Sequence, residues 1–83
     1  MFSPVLSRSL NGGSQDIYRF DNGYGASVIN SFMSYGTELA VIQFVGEDND
    51  KFSLVYTTPV TDDVIGHLTE CELEEVLEQI KAL

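Results

Sequence analysis

The sequence predicts an α+β fold, an antiparallel β-meander of four to five strands with one C-terminal α-helix packed on one face. Three observations carry that expectation. Asn22-Gly23 lies between two runs rich in aromatic and β-branched residues, from Asp16 to Phe20 and from Tyr24 to Ile29, which is the pattern of a hairpin. The run from Leu39 to Val45 is apolar at every position except Gln43, as in a strand covered on both faces. Thr69-Glu70-Cys71-Glu72 is a capping box and opens a stretch with apolar residues at helical spacing. The order is strands and then helix, with short connections, in a chain of 83 residues that forms one domain over 1–83.

Taken in order, the segment from Pro4 to Leu10 reads as a short edge strand, with Pro4 tolerated at its start. Asn11-Gly12-Gly13-Ser14 is a turn. The hairpin follows. A two-residue type I′ turn at Asn22-Gly23 pairs Phe20 with Gly25 and Ile17 with Val28. One face then holds Ile17, Arg19, Asp21, Tyr24, Ala26 and Val28. The other holds Tyr18, Phe20, Gly25, Ser27 and Ile29, and is the expected core face, with Phe20 covering the bare Gly25. Asn30 to Glu38 is a polar connection with Phe32, Met33 and Tyr35 as apolar islands. Gly46 to Asp50 is a turn between the Leu39–Val45 strand and a strand over Lys51–Thr58, pairing Phe44 near Phe52 and Ile42 near Leu54. Thr61 to Gly66 reads as one helical turn with Thr61 as its N-cap. In the last helix Leu68 and Leu73 form a hydrophobic staple, and Leu73, Val76, Leu77, Ile80 and Leu83 form the apolar stripe.

Thirteen acids against four bases leave a net charge of −9. Seven of those acids and one base fall in residues 59–83. Phosphate contacts require clustered Lys and Arg, so direct nucleic-acid binding is not expected, nor is an anionic membrane surface. A protein partner, basic or apolar, fits the charge better. Cys71 is alone and forms no internal disulfide. Residues 1–8 lack the charged and apolar regions of a secretory signal, and no apolar run reaches the length of a membrane span. The expected location is therefore cytoplasmic.

Chemistry-bearing motifs are sparse, and no cofactor is expected. His67 and Cys71 are four residues apart, but Glu70 and Glu72 oppose a thiolate at Cys71, and two soft ligands do not close a zinc site. Cys71 reads as a small apolar filler. Glu47-Asp48-Asn49-Asp50 lacks the glycine and closing glutamate of a calcium loop and reads as a hairpin turn. Asn22-Gly23-Tyr24-Gly25 lacks the lysine and the following helix of a phosphate loop. No catalytic and no metal-binding residue is assigned.

Two surfaces remain as candidates. Asp62, Asp63, Glu70, Glu74, Glu75 and Glu78 form an acidic face, read either as a solvated helix surface or as a mimic of nucleic-acid phosphates for a basic groove. One helix cannot cover both faces of a sheet. Ile17, Tyr24, Ala26, Val28, Val41, Val45 and Val55 are the expected open face, covered by residues 1–12 or by a second copy in a homodimer. A small ligand or substrate pocket between helix and sheet, near Tyr18, Tyr24 and Tyr56, is the alternative.

The run from Tyr18 to Val28, the turn Gly46 to Asp50 and the segment Thr61 to Gly66 together resemble small uncharacterised proteins of tailed phages and prophages. The resemblance covers roughly residues 16–80. It implies a bacterial host cytosol and a short accessory protein, and it carries over no activity and no functional residue. The expected function is that of a small acidic, non-enzymatic accessory protein acting through protein–protein contact, in its specific form an inhibitor of a host protein.

Overall fold

A computed structural model describes residues 2–10, 12–31 and 36–83. Five antiparallel strands lie side by side in chain order: β1 (Leu6–Leu10), β2 (Gly13–Arg19), β3 (Tyr24–Ser31), β4 (Thr37–Phe44) and β5 (Phe52–Leu54). The helix α1 spans Glu70–Lys81. The expected meander with a C-terminal helix is the observed fold. The apolar islands Phe32, Met33 and Tyr35, and Asn11 of the first turn, lie outside the described residues.

The central hairpin differs from expectation by one residue, and that residue turns β3 over relative to β2. Phe20 and Tyr24 close a three-residue loop: the Phe20 N–H donates to Tyr24 O at 2.9 Å, and the Gly23 N–H donates to Phe20 O at 3.2 Å. Gly23 has φ +85°, whereas Asn22 is not in the left-handed region. This is a type I turn closed by a left-handed glycine, not the two-residue type I′ turn. Gly25 therefore pairs with Arg19, Ala26 with Tyr18, and Ser27 with Ile17. A one-residue slip moves every side chain of one strand to the other face relative to its partner. Tyr18, Phe20, Tyr24, Ala26 and Val28 now share a face, and Ile17, Arg19, Gly25, Ser27 and Ile29 share the opposite one.

The helix covers the first of these faces. Leu77 and Ile80 are fully buried against Tyr18, Ala26, Val28, Leu39 and Val41, with Phe20, Tyr24 and Val55 at the margin. Burying such an aliphatic side chain contributes about 1.5–3 kcal/mol, while an isolated helix of this length is marginal in water, so this docking is what keeps α1 folded. The capping box forms as expected: Thr69 accepts from the Glu72 N–H, and the Glu72 carboxylate accepts from the Thr69 N–H at 3.1 Å. At the other end the Asn22 side-chain amide donates to the carbonyls of Ile80 (2.9 Å), Lys81 (3.2 Å) and Leu83 (3.1 Å). The turn thus closes the helix C-terminus. Phe2 also packs onto this side, edge-on to Phe20 at 5.3 Å, so the N-terminal segment buttresses the helix-covered face.

Two further expectations need correction. The strand over Lys51–Thr58 shortens to Phe52–Leu54, although Phe44 does pair with Phe52 and Ile42 with Leu54. The helical turn over Thr61–Gly66 is absent: Ile65 instead forms a bridge to Leu39 with hydrogen bonds in both directions, and the Leu68 N–H donates to Thr37 O. Both changes have one cause. The outer edge of β4 needs partners along its whole length, and the chain supplies them in two pieces, Phe52–Val55 and then Ile65–Leu68.

Candidate functional site

The helix-free face is built in rows, because residues that pair across strands share a side. One row is Arg8, Gln15, Ile29 and Glu38, from β1 to β4. The next is Leu6, Ile17, Ser27 and Ala40. A third is Arg19, Gly25, Ile42 and Leu54. Ile17 and Ile42 are 0% exposed although no helix lies over them, so the longer side chains of this face fold across its floor.

Polar groups on this floor are held by one another. Gln15 and Ser27 are buried. Gln15 Nε2 donates to Ser27 Oγ at 2.8 Å, and Gln15 Oε1 accepts from Arg8 Nε at 2.6 Å. Such a chain satisfies buried groups that would otherwise cost about 1–3 kcal/mol each, and it fixes the direction of Arg8. Arg19 is committed to structure. It lies over the Phe44 ring at 4.4 Å and donates to the carbonyls of Gly46 (2.6 Å) and Glu47 (3.2 Å) and to Asn49 Oδ1 (3.3 Å), tying the β4–β5 loop to β2. The aromatic that covers Gly25 is Phe44, not Phe20: a Cβ at Gly25 would collide with the Tyr18 carbonyl and stand 2.7 Å from Phe44 Cε2.

Beside this row lies an open groove of about 320 Å³, lined by Gln15, Ser27, Ile29, Glu38, Ala40, Phe52, Leu54 and Val64. Leu54 is 52% exposed and Val64 40%. Nothing local in the sequence marks Arg8, Gln15 and Ser27 as partners. The one available signal is the alternation Leu6, Arg8, Leu10 against Gln15, Ile17, Arg19, which is legible only once β1 and β2 are paired.

The surface expected to lie open is not a surface. Tyr24, Ala26, Val28, Val41 and Val55 pack under the helix, Ile17 is buried on the opposite face, and Val45 is exposed beyond the end of β4. The register slip accounts for this, since the expected set mixed residues of both faces. The interval between helix and sheet is filled by core side chains that include Tyr18 and Tyr24, while Tyr56 stands exposed beyond β5. Residues 2–10 form the edge strand and the Phe2 buttress rather than a cover for the helix-free face.

The acidic residues separate into two groups. Glu70, Glu74 and Glu78 recur every four residues along one flank of α1, with Glu75 beside them. Asp62 and Asp63 belong to the preceding turn, where Asp63 Oδ1 accepts from the Val64 N–H at 2.7 Å. Glu70, Glu75 and Glu78 are exposed. Glu74 is half-buried, with Oε2 sealed from solvent and without a hydrogen-bond partner. Burial, and then the charges of Asp16 and Glu74, raise the pKa of the Tyr18 hydroxyl. Hydrogen bonds from the backbone and side chain of Thr69 lower that of the Glu72 carboxyl.

Cys71 is exposed rather than a packed filler. In the Gly46–Asp50 turn, Asp48 pairs with Lys51 at 3.3 Å and Asn49 with Arg19. Among the described residues no three His, Cys, Asp or Glu side chains gather as metal ligands would, and no helix is long and apolar enough to cross a membrane. Comparison with known proteins found no match: no family model, curated protein or solved structure is significantly similar to the chain.

Proposed function

We propose that this protein is a non-enzymatic accessory protein that works by protein–protein contact, and that the helix-free face of its sheet is the contact surface. The observation that supports this is the groove between Gln15 and Val64, where Leu54 and Val64 stand half out of the fold beside a rigid polar row. Apolar side chains rimmed by ordered polar groups are the composition of an interface centre. At about 320 Å³ and open, the groove falls at the low end of small-ligand sites, which favours a protein partner over a metabolite. In line with the likeness to phage proteins, the protein acts in the cytosol of a bacterial host.

A second reading has its own support. Glu70, Glu74 and Glu78 repeat like charge at four-residue spacing, an arrangement that costs a helix a few tenths of a kcal/mol per pair. A basic host protein bound to that flank would offset the cost, as an inhibitor of nucleic-acid binding would.

Affinity capture from host lysate separates the two. Leu54→Asp with Val64→Asp abolishes capture if the sheet face is the contact, while Glu74→Lys with Glu78→Lys leaves it unchanged. The reverse result assigns contact to the acidic flank. Capture that neither pair alters, with both variants folded, refutes the contact reading at these surfaces.

A further inference from the structure

The two edges of the sheet are unlike. On the β4 side the edge is closed in pieces: β5 takes one part, Ile65 bridges to Leu39, and β5 itself is three residues long. Short, interrupted edges are how sheets avoid pairing with other chains. On the other side β1 runs for five residues, Leu6–Leu10, and pairs with β2 residue for residue, with no bulge and no proline inside it. The direction of its bonding follows from the central hairpin. Phe20 and Tyr24 are a hydrogen-bonded pair, and such pairs alternate along antiparallel strands, so Gly13, Gln15 and Ile17 bond to β1. Their partners Leu10, Arg8 and Leu6 face inward. Ser7 and Ser9 alternate with these and aim their N–H and C=O groups out of the sheet. The segment before β1 leads away from this edge, with Phe2 packed on Phe20 on the helix-covered side.

We infer that β1 pairs with β1 of a second copy of this chain, joining two sheets edge to edge about a two-fold axis at Arg8. The segment Leu6-Ser7-Arg8-Ser9-Leu10 reads the same in both directions, so an antiparallel copy meets it like for like. Ser7 lies opposite Ser9 of the second copy, and Ser9 opposite its Ser7, each pair exchanging both backbone hydrogen bonds. Only the backbone of Ser7 is called on, so its hydroxyl keeps Asp16 as partner. Leu6 lies opposite the second copy's Leu10 on the helix-free face, and Leu10, 37% exposed in the single chain, packs against an apolar side chain. Arg8 lies opposite Arg8, and like charges directly opposite are destabilising. Here Arg8 Nε donates to Gln15 Oε1 on β2 at 2.6 Å, so each guanidinium leans inward, away from the axis. With strands about 4.8 Å apart, the two guanidinium groups then stand about 10 Å apart, a Debye length or more at physiological salt. The acidic helices do not oppose the pairing. α1 packs over β3, so the two helices are separated by five strand spacings, roughly 24 Å. The charged side chains of residues 1–20 are Arg8, Asp16 and Arg19, so the acidic surplus lies beyond this edge. A two-fold axis perpendicular to the sheet leaves both helices on one side and both grooves on the other, so the dimer offers a partner two equivalent sites.

Ser9→Pro tests the pairing selectively. It removes an outward N–H that the β1–β2 ladder does not use, and proline is tolerated at such edge positions, so the fold survives while the pairing is lost. An edge contact of this size is weak, so sedimentation equilibrium of the wild type at physiological salt shows a dimer of the 9.2 kDa chain with a dissociation constant of about 10–100 µM. Ser9→Pro, with an unchanged far-UV circular dichroism spectrum, weakens it at least tenfold. A cross-link covers the case in which the proline variant misfolds. In a Cys71→Ser background, Arg8→Cys chains meet at the axis, where a non-hydrogen-bonded pair sets the Cα atoms about 4.5 Å apart, within disulfide reach. They form an interchain disulfide at least tenfold faster than the wild type does through its exposed Cys71. A wild-type monomer at about 1 mM overturns the inference. So does a folded Ser9→Pro variant that dimerises as tightly as the wild type, or Arg8→Cys chains that cross-link no faster than it. The edge is separate from the Leu54–Val64 groove and from the acidic flank. A monomer whose capture of a host protein is still abolished by Leu54→Asp with Val64→Asp therefore removes the second copy and leaves the contact reading in place.

Discussion

Asn22 is the position at which turn and helix are joined, and its replacement measures that junction. Asn22→Ala removes an amide that donates to three carbonyls at the end of α1 and an oxygen that accepts from the Tyr24 N–H at 3.0 Å. The Ile80 carbonyl is partly buried, and losing its partner costs about 1 kcal/mol. The Lys81 and Leu83 carbonyls are exposed, so water replaces the amide at about 0.5 kcal/mol for both. The Tyr24 bond closes the turn and contributes about 0.5 kcal/mol more. The expected loss is about 2 kcal/mol, a fall of about 8–16 °C in Tm for a domain of this size. Urea unfolding followed by far-UV circular dichroism reads it as a lower midpoint with unchanged slope. Asn22→Asp discriminates the cause. It keeps the oxygen but turns a negative charge on the negative end of the helix, adding about 0.3–1 kcal/mol to the loss of the amide donors. Were Asn22 only a turn residue, Asp and Gly would both replace it at little cost, since both are common in tight turns. Asn22→Asp and Asn22→Gly both within about 0.5 kcal/mol of wild type would therefore refute the junction.

Three further outcomes follow from the same geometry. Gly25→Ala drives a methyl into the Tyr18 carbonyl and toward the Phe44 ring, and should destabilise by about 1–3 kcal/mol or more, read as a lowered urea midpoint. Thr69→Ala removes the N-cap at about 1 kcal/mol and lets the Glu72 carboxyl titrate nearer its ordinary range in an NMR pH series. With the folded pKa of Glu72 lowered, its contribution is present above the ordinary glutamate pKa and lost as pH falls through the folded value, so Thr69→Ala flattens the acid limb of the stability curve. Tyr18 has the opposite sign: its raised pKa favours the neutral hydroxyl in the fold, so stability is full below the unfolded value near 10 and lost as pH rises through the folded one. Tyr18→Phe flattens that alkaline limb, and equal pH dependence of the two proteins would remove the assignment.

Much of the architecture was legible because its signals are short-ranged. The capping box lies within four residues, the apolar stripe from Leu73 to Leu83 within three turns, and the Phe44–Phe52 pairing across one loop. The failures share a different origin. Asn22-Gly23 carries the composition of a two-residue turn, but Asn22 adopts the geometry that lets its amide reach carbonyls about 60 residues further along the chain. The acidic flank was readable as composition. The Arg8–Gln15–Ser27 row was not, because it exists only after three strands are paired.

The sequence by itself determined the order of strands and C-terminal helix, the helix N-terminus at Thr69 and the apolar character of β4, since each depends on residues within a turn or a strand of one another. The tertiary structure alone decided which face the helix covers, and with it which residues are core and which are left for a partner. The physical reason is the two-residue period of a strand: one added residue in the central turn, whose Asn22 caps the far end of the chain, turns β3 and the strands after it over relative to β2.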